Sequence, residues 1–139
     1  MIRHPAVVDT NVVIAGLLTK SADSPTASMV NGMLSASFPF VLSETLLAEY
    51  AAVLFRPAIR KLHLLSEVEL ESILLEIARH AIVLDPSMGP KSPDRGDQLL
   101  WDLLGARRDL VLVTGDKLLL RSVEFQGRVV TPREFLAGE

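Results

Sequence analysis

The chain has 139 residues, a formal net charge of −3 and no cysteine. This length predicts one domain, residues 1–139, that buries roughly 70% of its unfolded surface without disulfide support. The lack of cysteine excludes disulfides and zinc–thiolate sites. Because the sequence has no long apolar span and no leader-like start, we expect a soluble cytoplasmic protein. The acidic balance is not typical of a nucleic-acid binder, although bound cations would neutralise clustered acids.

Apolar runs and capping residues predict strands that alternate with helices. Strands are predicted at residues 6–8, 39–42, 81–84, 110–113 and 128–130. Helices are predicted just after Asp9, at residues 27–35, 44–55, 67–80 and 97–108, as a short helix or turn at 117–121, and after Thr131. Pro57 is expected to end or kink the helix before it. The alternation predicts an α/β fold with a mainly parallel five-stranded sheet, covered on both faces.

Two of the predicted strands are followed by a carboxylate. Asp9 comes directly after Ala6-Val7-Val8, and Asp116 follows the fourth strand within Thr-Gly-Asp. Ligands of open parallel sheets bind at the carboxyl ends of the strands, so these acids predict a binding site. The alternatives are that Asp9 only caps the following helix and that Asp116 only forms a turn. Thr114 is a candidate to orient a neighbouring carboxylate through its hydroxyl.

Further acids stand near the starts and edges of predicted helices. Asp94 and Asp97 precede a helix, where both could act only as caps or as partners of the helix dipole. Glu49 lies at one edge of the apolar arc of helix 44–55, and Glu44 lies at the opposite edge, in its first turn. The helical wheel does not choose between the two glutamates, and each could be solvated surface.

The acids taken together indicate a cation site more strongly than any one of them does alone. Three or four converging carboxylates would repel one another strongly without a cation. A ligand set of hard oxygens without histidine or cysteine selects Mg²⁺ or Mn²⁺. Such ions activate water and stabilise charge on a phosphodiester. The residues 85–96, rich in Pro, Gly, Ser and Asp, are expected to form a loop of this site.

Basic residues follow the last of these acids. Lys117 and Arg121 come just after Asp116 and could contact phosphates. Arg56, Arg60 and Lys61 could extend that track. A solvated charged face is the alternative for each of these residues.

The remaining aromatic and histidine candidates have simpler interpretations. Trp101 could stack on a base, but an aromatic side chain on a helix more often packs in the core. His4, His63 and His80 stand outside the acidic motifs and are expected at the surface or at helix ends. The predicted chemistry needs no histidine.

The order and spacing of these motifs resemble a known family. Val7-Val8-Asp9-Thr10-Asn11 before an apolar helix is similar to the opening of a PIN domain. Ser43, Glu49 and then Val53-Leu54 resemble its second motif. Asp94-x-x-Asp97, a leucine-rich helix and Leu-Val-Thr-Gly-Asp116 resemble its third and fourth motifs. The similarity runs from about residue 6 to residue 131.

The resemblance implies a Mg²⁺- or Mn²⁺-dependent ribonuclease with a three-layer α/β/α sandwich fold. It implies that the catalytic and metal-binding acids are Asp9, Glu49, Asp97 and Asp116, and so prefers Glu49 to Glu44 and Asp97 to Asp94. It also implies that these acids are supported through hydrogen bonds by Asn11, Ser43 and Thr114.

The resemblance has further implications for partners and chemistry. Many small PIN proteins are toxins of toxin–antitoxin pairs of the virulence-associated protein C type, so an RNA substrate, an antitoxin protein and a homodimer are expected. Cleavage by a metal-activated water would leave 5′-phosphate and 3′-hydroxyl ends. Relatives often carry another acid where this chain has Leu118, which favours one tightly bound ion.

Two rival interpretations remain at the level of sequence. Phosphoryl transfer through an aspartyl phosphate also uses acids at strand ends, but a haloacid-dehalogenase-like site would want an acid where Asn11 stands. The other alternative is a PIN domain that has lost activity and serves as an RNA-binding or protein-interaction module.

Overall fold

The computed structural model of the protein describes residues 4–86, 92, 95–122, 124–125 and 127–138. Five short strands lie within these ranges: β1 (Ala6–Val8), β2 (Val41–Leu42), β3 (Ile82–Val83), β4 (Val111–Val113) and β5 (Val129–Val130). The helices of the same ranges are α1 (Thr10–Leu18), α2 (Pro25–Ser35), α3 (Glu44–Leu54), α4 (Pro57–His63), α5 (Glu67–His80), α6 (Gln98–Ala106), α7 (Lys117–Leu120) and α8 (Pro132–Leu136). Parallel strands connected through helices confirm the predicted α/β fold.

The strands form two parallel sheets, of three and two strands, so the described residues do not show the predicted single five-stranded sheet. One sheet has the order β1-β4-β5, and the other pairs β2 with β3. A single bridge between Ala6 and Phe40 links them, supported by the Ala6 N–H, which donates to the Pro39 carbonyl at 3.0 Å. The strands are so short that β1 meets this segment at one residue pair, too few for a continuous ladder.

The pairing of β1 with β4 places the candidate site. Both strands are buried along their whole length, as their continuous apolar sequences predict. Val8 pairs with Val113, and the Asp9 N–H donates to the Val113 carbonyl at 3.0 Å. Because the strands are parallel and end level with one another, Asp9 and Thr114 emerge at the same edge of the sheet.

Capping residues set the helix starts close to where the sequence predicts them. The Ser43 hydroxyl accepts the Leu46 N–H at the start of α3. Ser66 forms a capping box at the start of α5, and Thr131 forms another at α8, with Pro132 in the first turn. These side chains satisfy amide groups that have no partner within their own helix.

Helix α4 was not predicted. α3 ends before Pro57, as expected, but Pro57 then begins a new helix, where a missing N–H costs nothing. At seven residues with none fully buried, α4 is too short for an apolar periodicity to mark it in the sequence.

Helices α1 and α2 pack unusually closely. A β-carbon added to Gly16 would lie 2.4 Å from the Thr26 carbonyl oxygen and 2.5 Å from a methyl group of Val30. Glycine is therefore required at this crossing, which holds α1 and the Asp9 corner before it in place. Among the described residues, no helix is long and apolar enough to cross a membrane.

Candidate active site

Asp9 is the most buried acid of the candidate site, with 3% of its surface exposed. It occupies the N-cap position of α1, but its side chain makes no capping hydrogen bond. Its Oδ2 instead accepts the Thr114 hydroxyl at 2.7 Å, across the edge shared by β1 and β4. Asp9 is therefore more than a helix cap, because its carboxylate bonds to Thr114 as well as lying near the Asn11 amide in the first turn of α1.

Several groups act on the pKa of Asp9, and their net effect raises it. Burial is the largest cause, because it disfavours the charged form. The Thr114 hydroxyl and the Asn11 backbone amide lower the pKa, whereas the negative charges of Glu49 and Asp116 raise it. Three of the four predicted acids therefore lie close enough to interact electrostatically.

Glu49 reaches this corner from α3. It is half-buried, and its Oε2 accepts the hydroxyl proton of Thr10 at 2.5 Å. Glu44 is exposed in the first turn of α3 and is not among the charges that act on Asp9. Thr10 was not among the predicted site residues, although the sequence shows a hydroxyl residue directly after Asp9.

Asp116 combines the two roles that the sequence left open. Its N–H donates to the Thr114 hydroxyl oxygen at 3.0 Å, and its Oδ1 accepts the Leu118 N–H at 2.8 Å. It therefore caps the four-residue helix α7 and also lies near Asp9. Thr114, fully buried, connects the two acids by donating to one and accepting from the other.

Asp97 lies at the N-terminus of α6, a helix that contacts β1, β4 and α3. It ends a 3₁₀ turn, Arg95–Asp97, is half-buried and makes no side-chain capping bond. It is not among the charges that shift the pKa of Asp9. Asp94 and most of the predicted 85–96 loop lie outside the described residues.

The predicted supporting residues differ in what they contact. Thr114 bonds to Asp9 as expected from its position. The Asn11 side chain is exposed, and its backbone amide is the group that affects Asp9. The Ser43 hydroxyl caps α3 and lines a polar cavity of about 170 Å³, together with Glu44, Asp85 and Asp102. None of the four predicted acids lines that cavity.

The acids are near one another without forming a closed ligand cluster. Across the described ranges, no three acidic or histidine side chains are arranged to hold a metal ion. Asp9, Glu49 and Asp116 each direct one carboxylate oxygen to a hydroxyl or an amide of the chain. Their donor chemistry fits a hard divalent cation, because all three offer carboxylate oxygen.

The other candidates have simple positions. Lys117 and Arg121 are exposed next to Asp116. Trp101 is fully buried and packs edge-to-face against Phe125, with ring centroids 5.3 Å apart, so its packing interpretation is correct. His63 and His80 end α4 and α5, as expected.

The chain belongs to the PIN domain family, whose model matches residues 5–118. This range contains β1, the helix that carries Glu49, and the Thr114–Asp116 corner. The fold is therefore of the nuclease type, and PIN domains are generally metal-dependent nucleases that act on RNA. A search of curated proteins found no match to the chain.

Proposed function

We propose that this protein is a Mg²⁺- or Mn²⁺-dependent endoribonuclease that cleaves RNA phosphodiester bonds with water. The observation that carries the proposal is the buried Asp9 with Glu49 and Asp116 beside it. The ion pairs Arg79–Glu76, His80–Glu76 and Arg107–Asp109 involve none of these three acids. A buried carboxylate near two like charges is costly unless a cation compensates it.

The four acids have distinct proposed roles. Asp9, Asp97 and Asp116 would hold the cation directly or through water, and Glu49 would orient the attacking water. The cation supplies a Lewis acid that stabilises negative charge on the phosphodiester oxygens. Thr10 and Thr114 keep Glu49 and Asp9 oriented by donating hydrogen bonds to them. We propose one tightly bound ion and products with 5′-phosphate and 3′-hydroxyl ends.

The substrate contacts would come from the exposed cations next to the acids. Lys117 and Arg121 lie in and directly after α7, whose N-terminus Asp116 caps. Phosphate contacts of this kind position a nucleic acid without reading its sequence. The acidic net charge is compatible with this role, because the charge of the site acids is compensated when a cation binds.

We further propose that the protein is the cytoplasmic toxin of a toxin–antitoxin pair and forms a homodimer. The support for a protein partner is exposed apolar surface on and after α4 and on α5. Leu62, Leu64, Val68 and Leu75 are between 62% and 82% exposed. Apolar side chains exposed in proximity commonly mark contact surfaces between proteins.

One alternative function has an observation in its favour. The described ranges of this protein contain no closed cluster of acids. A PIN domain that only binds RNA or protein would have the same arrangement. Leu118, 45% exposed, also occupies the position where relatives often have an auxiliary acid. A module of this kind would bind neither Mg²⁺ nor Mn²⁺ in a titration.

Cleavage of a mixed RNA substrate tests the proposal. Wild-type protein should cleave with Mg²⁺ and stop with a chelator. Asp9→Asn, which keeps the side-chain shape but removes the charge, should reduce the rate by at least about 100-fold. Glu71→Gln, which removes an exposed charge on α5, should cleave like the wild type. Undiminished cleavage by Asp9→Asn, or cleavage in the chelator, would falsify the assignment.

A further inference from the structure

Two hydrogen bonds connect α3 to the residues on either side of Asp9. The Tyr50 hydroxyl donates to the Val8 carbonyl, and Thr10 donates to Glu49. The residues immediately before and after Asp9 are therefore bonded to two consecutive residues of α3. Both bonds join residues that are far apart in sequence: 42 positions separate Tyr50 from Val8, and 39 separate Glu49 from Thr10.

The Tyr50 hydroxyl bonds to the side of β1 that faces β2. The Ala6 N–H bonds to Pro39, on the side of β1 that faces β2. Because backbone groups alternate along a strand, the Val8 carbonyl, two residues on, points to the same side. The bridge between the sheets involves Ala6 and Phe40, and the Tyr50 hydroxyl supplies the donor for Val8. A buried carbonyl without a donor would be costly.

We propose that Tyr50 is a positioning residue of the acidic site. Its bond to Val8 fixes α3 against the carboxyl end of β1, and so holds Glu49 beside Asp9. The bond from Thr10 to Glu49 sets the orientation of the carboxylate itself. This inference rests on the proposed metal-dependent function and adds a residue that the motifs of the family resemblance do not contain.

Electrostatic repulsion between the acids is the reason that such a link between α3 and β1 is needed. Asp9 and Glu49 repel one another, and this repulsion acts to separate α3 from β1 before a cation binds. Tyr50 is fully buried, which makes its hydroxyl a fixed donor rather than a solvated one.

The first test replaces Tyr50 with phenylalanine, which removes only the hydroxyl. Mn²⁺ binding to the full chain is measured by calorimetry or by paramagnetic resonance, at a temperature well below unfolding. We expect Tyr50→Phe to bind Mn²⁺ roughly 10-fold more weakly, as for other residues that orient ligands. Its loss of RNA cleavage should be largely recovered at high Mn²⁺ concentration.

A matched core variant separates positioning from general loss of stability. Ile77→Val shortens a fully buried side chain of α5 and should lower stability moderately. It should leave Mn²⁺ affinity unchanged. Equal losses of affinity in Ile77→Val and Tyr50→Phe would mean that destabilisation alone explains the effect, and would overturn the inference.

The Thr10 pair keeps the inference falsifiable if Tyr50→Phe does not fold. Thr10→Val removes the donor to Glu49, and Thr10→Ser retains it. We expect weaker Mn²⁺ binding for the valine variant and near-normal binding for the serine variant. Wild-type affinity in a folded Tyr50→Phe, or in Thr10→Val where Tyr50→Phe does not fold, would overturn the inference and leave the proposed function standing. A wild-type protein that binds no Mn²⁺ and cleaves no RNA would overturn both.

Discussion

Asp9 lies where its ionised form costs the metal-free protein stability. Its burial and the neighbouring charges of Glu49 and Asp116 raise its pKa. An acid whose pKa is higher in the folded state than in the unfolded state loses stability as pH rises between those two values. Without a cation, the ionised form of Asp9 therefore costs the native state free energy near neutral pH.

Asp9→Asn should accordingly stabilise the metal-free protein. We expect a higher unfolding midpoint near neutral pH. Each kcal/mol added to the free energy of unfolding should raise the midpoint temperature by roughly 4 °C. The gain should vanish below pH about 4, where Asp9 is protonated even in the unfolded chain. Thermal unfolding of both proteins across this pH range, in a chelating buffer, measures the effect. A midpoint that falls in the variant at neutral pH would contradict it.

The sequence singled out the candidate site residues but not their contacts. Asp9 and Asp116 were visible because each follows an apolar strand, and the resemblance selected Glu49. The hydrogen bonds of Thr10 and Tyr50 join positions about forty residues apart. No local pattern encodes such contacts, because they depend on how α3 docks against β1.

At the scale of elements, the close crossing of α1 and α2 supports the Asp9 corner. Gly16→Ala would place a methyl group against the Thr26 carbonyl, which is backbone and can move little. Alanine normally stabilises a helix relative to glycine by about 0.5–1 kcal/mol, so a clash must reverse the sign.

We expect Gly16→Ala to lower the free energy of unfolding by about 1–3 kcal/mol. Urea unfolding measures this loss. Gly115→Ala provides a spatial control, because an added β-carbon there has no neighbouring atom within 4 Å. If Gly16→Ala were as stable as the wild type, the helices would not need this close approach.

Elements were predicted well where local signals exist. Apolar runs, N-cap hydroxyls and prolines located β1, β4, α3, α5 and α8 within a residue or two. Two features had no such signal. α4 buries none of its residues fully, and the division into two sheets depends on how many residues of β1 meet the segment before β2.

At the scale of the whole molecule, Arg128 joins parts of the fold away from the acids. Its guanidinium donates to the carbonyls of Leu104, Arg107 and Leu110 and lies 5.2 Å from the centre of the Phe125 ring. It therefore connects the segment before β5 to the end of α6 and the start of β4. Burial lowers the pKa of Arg128, but arginine remains charged at ordinary pH.

Arg128→Met should destabilise the protein by roughly 2 kcal/mol, because the substitution leaves these carbonyls without their charged donor. Arg133→Met, which removes an exposed guanidinium from α8, serves as the control and should change stability little. The two variants can be compared by urea unfolding. Equal stability of the two would show that the Arg128 bonds contribute nothing net.

The most direct test of the central claim is diffraction from crystals grown with Mn²⁺, using the anomalous signal of the ion. The account predicts a peak at the edge where β1 and β4 end, with Asp9 oxygen at a ligand distance of about 2.1 Å. Glu49, Asp97 and Asp116 should contact the ion directly or through water. A crystal grown with saturating Mn²⁺ that shows no peak there, or a peak only at the cavity beside Glu44 and Asp102, would contradict it.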